Sequence, residues 1–195
     1  GGGNHELQIY TDLPKNVRVE NSRLILEAHH EPTCMQGTVR EYSSGRVRTK
    51  HRGDWTYGRF EVRAKIPEGR GLWPAIWLLP LHDKYGGWAA SGEIDVMEIV
   101  GEKPHQYLGT VHFGSTFPKR ELVTHVHKFP AGQSVAEFHV YAVEWEPGEI
   151  RWLVDGETWA TQSFWWSCSR LRNGKGVVAR SSADLNPWPA PFDQP

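Results

Sequence analysis

The segment from Gly92 to Gly101, GEIDVMEIVG, breaks a run of Ile, Val and Met with three carboxylates, Glu93, Asp95 and Glu98. Ile94, Val96, Ile99 and Val100 favour a pleated strand, and a helix would set Glu93 and Glu98 well apart around its axis. The pattern predicts a strand. Alternate side chains of a strand share a face, so Glu93 and Asp95 point one way and Glu98, at an odd spacing, points the other. One extra residue near Met97, a β-bulge, returns Glu98 to the carboxylate face. Gathering three carboxylates on an apolar strand is unfavourable unless they pair, share protons or meet a ligand. A solvated face of an amphipathic strand is the plainer alternative; an active site accounts better for the flanking apolar residues.

The chain has 195 residues, enough for one domain with a sizeable core, and the expectation is a single domain over residues 1–195. Lys and Arg number 22 against 23 Asp and Glu, so the net charge of -1 offers no basic tract to follow phosphates, and nucleic acid is not expected as a partner. The most apolar stretch, Gly71 to Leu81, is too short for a bilayer span and carries Pro74 and Pro80. A membrane partner is therefore not expected. No basic, apolar leader opens the chain, so any secretion signal is expected to lie outside it. Cys34 and Cys168 allow at most one internal disulfide, and two free thiols fit the sequence equally well. The 10 Trp, 6 Tyr and 7 Phe exceed what one small core needs, which predicts aromatic rings displayed toward flat, partly apolar ligands such as sugars.

Strand-like runs recur along the chain, separated by turn residues. Val17 to Glu20 and Leu24 to Ala28 flank Asn21 and Ser22 as a hairpin. Further strands are expected at 46–50, 58–66, 75–79, 93–100, 108–113, 138–145 and 150–154, with a turn over 146–149 and another at Asp155 and Gly156. No helical period survives without breakers. The expected fold class is all-β, a sandwich (jelly roll) of two antiparallel sheets with a concave cleft. Long loops are expected at 80–91, 114–136 and 167–191.

Cleaving a glycosidic bond needs one carboxyl group protonated and another ionised, and Glu93 and Glu98 on one face supply such a pair. Asp95 between them can push their pKa values apart. At this point the motif resembles the signature of family-16 glycoside hydrolases, with the extra Met in the bulged form of laminarinase-like endo-β-1,3-glucanases. NHELQIYT, YGRFEVRAKIP, GLWPAIWLLP, GTVHFG, FHVYAVEWEPGEIRWLVDG and PFDQP follow the family in the same order.

The resemblance implies Glu93 as nucleophile, Glu98 as acid/base and Asp95 as the partner that orients and tunes the nucleophile, with retention of anomeric configuration. Retention calls for carboxyls ~5–5.5 Å apart. It further implies that Trp73, Trp77 and Trp88 wall or stack on glucosyl units, and that Asn4, Arg63 and His112 line the subsites. The implied substrate is laminarin-type or mixed-linkage β-glucan and the implied setting extracellular or periplasmic. No cofactor is implied; many relatives bind a structural calcium near both termini, but those positions are largely missing here. His125 and His127 make an H-x-H pair without an obvious third ligand, so no metal site is expected. Trp165 and Trp166 either border the cleft or anchor a loop, and Trp145 and Trp152 are expected in the core.

Family members begin with further strands before Asn4 and continue past PFDQP. The expectation is therefore a fragment, or a sheet completed by a second chain or swapped segment. Two alternatives stand beside the glucanase reading. One is a glucan-recognition module that binds without cutting; the other is a hydrolase of a different polysaccharide such as agarose or carrageenan.

Overall fold

The computed structural model describes residues 4–169, 171–172, 175–176 and 182–195. It divides into two compact units, Gly1–Arg52 and Gly53–Pro195. In the first, β1 (Gln8–Tyr10), β5 (Thr38–Ser44) and β4 (His29–Met35) form a sheet in the order β1-β5-β4, with β1 parallel to β5. β2 (Val17–Glu20) and β3 (Arg23–Leu26) make the expected hairpin, turning through Asn21 and Ser22 at φ 49° and 59°. Asn16 ties this unit together from a fully buried position. Its amide donates to the Glu27 carbonyl at 2.9 Å and to Ser43 Oγ at 3.1 Å, and accepts from Thr11 Oγ1 at 2.5 Å. Residues 46–50 do not form the expected strand. They are exposed and irregular, since Val47 alone among them is apolar and leaves no face to bury.

The second unit holds β6 (Gly58–Lys65), β7 (Ala75–Leu78), β8 (Glu93–Glu98), β9 (Gln106–Gly114), β10 (Arg120–Lys128), β11 (Phe138–Glu146), β12 (Glu149–Val154) and β13 (Glu157–Gln162). A short pair, β14 (Leu171–Arg172) and β15 (Lys175–Gly176), and one 3-10 turn at Ser182–Asp184 follow. Two antiparallel sheets result, ordered β10-β9-β8-β7 and β13-β12-β11-β6. Ile94, Val96, Val111 and Tyr107 from the first meet Tyr141, Val143, Trp145 and Trp152 from the second in one core, as expected of a β-sandwich. Trp145 and Trp152 are core residues, as the sequence predicts. Among the described residues no helix is long and apolar enough to cross a membrane.

Gly109 of β9 faces Trp152 of the opposite sheet at close range. A methyl group on Gly109 would lie 2.6 Å from the indole, so only glycine fits. The same indole donates through Nε1 to the Asp95 carbonyl at 2.8 Å, where the bulge interrupts the β8 ladder.

β10 occupies the middle of the segment expected to be a loop over 114–136. Its sequence, RELVTHVHK, alternates properly, but histidines stand where aliphatic residues usually mark an inward face. His125 lies 5.5 Å from Trp152, and His127 lies 5.2 Å from Tyr107 and 5.3 Å from Trp159, centroid to centroid. The H-x-H pair is therefore packed against aromatic core residues, on a strand where a loop is expected from the sequence. Both cysteines are free thiols, Cys34 exposed and Cys168 buried.

The segment before β8 keeps its loop character and is pinned by the last residues described. Tyr85 Oη donates to Asp193 Oδ2 at 2.6 Å, Lys84 Nζ reaches the same oxygen at 3.1 Å, and Gln194 Nε2 donates to the Ser91 carbonyl at 3.1 Å. Gly92 has φ +87°, and a Cβ there would lie 2.8 Å from the Phe192 ring. The motif's first glycine thus serves both backbone conformation and close packing.

Candidate active site

β8 pairs with β9 on one side and β7 on the other, and both ladders slip by one residue in the same place. Glu93, Ile94 and Asp95 sit opposite His112, Val111 and Thr110, yet Glu98 sits opposite Leu108. On the other side Trp77 is opposite Asp95, while Ile76 is opposite Met97. The extra residue therefore falls at Val96–Met97. Both side chains are buried, and Glu98 rejoins the face of Glu93 and Asp95. His112, Thr110 and Trp77 share that face as cross-strand partners.

Each glutamate accepts from a different tryptophan. Trp88 Nε1 donates to Glu93 Oε2, and Trp73 Nε1 donates to Glu98 Oε1 at 2.6 Å. Asp95 is only 4% exposed; its Oδ2 lies 3.2 Å from His112 Nε2 without a well-aligned hydrogen bond, and His112 Nδ1 is likewise unsatisfied. Trp88 packs 5.4 Å from His112 and 6.0 Å from Phe117, and the Arg120 guanidinium lies 5.2 Å from its ring centre.

Burial first, and then the Asp95 charge, push Glu93 up to about 7, against the lowering effect of the Trp88 N–H. Asp95 is also pushed up to about 7, by burial and then by the Glu98 charge. The two carboxyls share a hydrogen bond, so they titrate as a pair. Burial lowers His112, against the raising effect of the Glu93 charge. Glu93, Asp95 and His112 each bring a ligand atom within 4.8 Å of the others, close enough to hold a metal ion.

Seven of the nine sequence-predicted site residues thus gather on one sheet face and its bordering loops: Glu93, Asp95, Glu98, Trp73, Trp77, Trp88 and His112. Arg63 does not join them. It stands on β6 in the other sheet, with its guanidinium 4.2 Å from the centre of the Phe138 ring and with Arg59 and Glu61 on its own face. Arg59 is held there by Glu61 and Glu144, in an ion-pair cluster that marks this as a separate polar surface. Asn4 lies in the first unit, exposed in a turn at φ 49°. Trp165 is buried beneath Trp188, stacked at 4.9 Å, and Trp166 packs edge-on to Phe113 at 6.3 Å. The loop-anchor reading holds for both. Arg120 and Phe117 were missed, because the strand that carries one and follows the other was read as loop.

A β-sandwich with paired carboxylates and indoles on an open sheet face is the scaffold class of polysaccharide-processing jelly rolls. The chain belongs to the glycosyl hydrolases family 16, whose sequence profile matches residues 10–163. It is 43% identical to a beta-glucanase of Rhodothermus marinus over 100% of this chain and 63% of that protein. It is 41% identical to glucan endo-1,3-beta-glucosidase A1 of Niallia circulans, over 100% of this chain and 27% of that one. The chain thus spans less than two thirds of the length of either relative. The solved laminarinase from Rhodothermus marinus superposes with a TM-score of 0.74 at 39% identity, covering 98% of this chain and 70% of that one.

Proposed function

We propose that this chain carries the catalytic core of a retaining endo-β-1,3-glucanase acting on laminarin-type glucan. The observation that carries the reading is the bulge at Val96–Met97, which sets Glu98 on the face of Glu93 and Asp95. The names of the relatives, a beta-glucanase and an endo-1,3-beta-glucosidase, support the substrate class.

In the first step the Glu93 carboxylate attacks the anomeric carbon and forms a glycosyl ester, while the Glu98 carboxyl gives its proton to the departing glycosidic oxygen. In the second, Glu98 as carboxylate takes a proton from water, the water oxygen bonds to the anomeric carbon, and Glu93 leaves as carboxylate. Asp95, hydrogen-bonded to Glu93, orients the nucleophile and tunes its ionisation. Trp73, Trp77 and Trp88 supply apolar faces for glucosyl rings. The cycle needs no cofactor. A polymeric substrate places the work outside the cytoplasm, in a secreted or periplasmic protein.

Release of reducing ends from laminarin by a protein containing this chain is the test. Activity on agarose or carrageenan with none on laminarin would move the substrate, and laminarin binding without turnover would favour a recognition module. Glu93→Ala should lose several orders of magnitude in rate and be partly rescued by a small anionic nucleophile such as azide. A variant that keeps its activity would remove Glu93 from the nucleophile's place.

A further inference from the structure

Trp88 is held by several neighbours. Its indole N–H is spent on Glu93, its ring is flanked by Phe117 and His112, and the Arg120 guanidinium sits over it at 5.2 Å. Arg120 opens β10 and is paired in register with Gly114, two residues along β9 from His112, so it stands on the carboxylate face. Nothing in the sequence motifs singles it out. A guanidinium over an indole is attracted by the ring's negative face, more strongly where both are partly withdrawn from water, and Arg120 is half-buried.

We propose that Arg120 is a positioning residue that fixes the Trp88 indole, and thereby its N–H bond to Glu93. The inference rests on the glucanase reading only for its kinetic consequences; the geometry it concerns is present without substrate. Phe117, exposed at the loop tip, packs against the ring but carries no charge. Removing the guanidinium frees the indole to rotate, and Glu93 then loses the one neutral donor that favours its ionised form. The charged and titratable groups facing Glu93 are Asp95 and Glu98 on its own strand, His112 on β9 and Arg120 on β10. Because Asp95 and His112 remain in every Arg120 variant, a change in Glu93 titration reports on the indole and the guanidinium.

The experiment compares wild type, Arg120→Met and Arg120→Lys in two readouts. In the first, the Trp88 indole N–H resonance, assigned with Trp88→Phe, is followed against pH without substrate. The expected result is a titration midpoint that moves to higher pH in Arg120→Met and returns toward wild type in Arg120→Lys. In the second, the acid limb of kcat/KM on laminarin moves in the same direction, with kcat falling more than KM changes. An indole resonance and midpoint unchanged in Arg120→Met would overturn the proposal. So would a loss of activity confined to KM with an unmoved acid limb, which would make Arg120 a substrate contact. Absence of glucanase activity in wild type would defeat the functional reading alone, since the resonance titration still decides the role of Arg120.

Discussion

Glu93 and Glu98 are the same residue type five positions apart, and their surroundings divide their duties. Glu93 sits beside Asp95 and His112 and accepts from Trp88, whereas Glu98 accepts from the more exposed Trp73. If Glu98 is the proton donor, its removal matters only as far as the leaving group needs a proton. Glu98→Ala should lower turnover of laminarin by roughly 10²–10⁴-fold, the usual worth of a general acid, and affect an activated aryl β-glucoside far less in its first step. Equal losses on both substrates, measured as pre-steady-state release of the aryl group, would take the acid role away from Glu98. The residues legible in the sequence are those whose spacing along one strand already encodes a face. Arg63 looked equivalent in its motif. Its strand, however, pairs with β11 and not with the carboxylate sheet, and that pairing is a long-range fact no local pattern contains.

At the scale of elements, strands with clean alternation of aliphatic and polar residues were legible, as in β6, β8, β11 and β12. β10 was not, because its inward positions are Val123, His125 and His127, and imidazoles packed on Tyr107, Trp152 and Trp159 read as polar until their neighbours are known. The bulge was legible from the odd spacing of Glu98, but what supports it was not. Trp152 comes from the opposite sheet and holds the Asp95 carbonyl, and it reaches that atom only because Gly109 leaves room. Gly109→Ala forces a methyl into the indole. The expected destabilisation is about 1–3 kcal/mol by overpacking, with activity falling beyond what the unfolded fraction explains, because the displaced indole releases the bulge. Denaturant unfolding together with activity per folded molecule checks this. An Ala variant of wild-type stability and activity would show that the bulge stands without Trp152.

For the whole molecule, the carboxylate cluster sets how stability depends on pH. Glu93 and Asp95 have ordinary values of 4.5 and 3.8 in the open chain and are pushed up to about 7 in the fold, so between those limits the folded protein binds more protons than the unfolded one. Stability therefore falls as pH rises across that window, the reverse of the usual behaviour of salt-bridged acids. His127, lowered by burial, works in the opposite direction, losing stability as pH drops below the ordinary imidazole value. The two contributions separate by mutation. Asp95→Asn removes one of the two charges and keeps the shape, so it should melt higher than wild type at pH 8, with the difference shrinking toward zero below about pH 4, where both carboxyls of the wild type are protonated in either state. The variant should also be less active, since a site that gathers like charges trades stability for function. Melting curves of the two proteins across pH 3.5–8 decide the matter. A difference that stays constant with pH, or a variant less stable at pH 8 than at pH 4 relative to wild type, would mean that Asp95 is held by favourable contacts and not against its own desolvation.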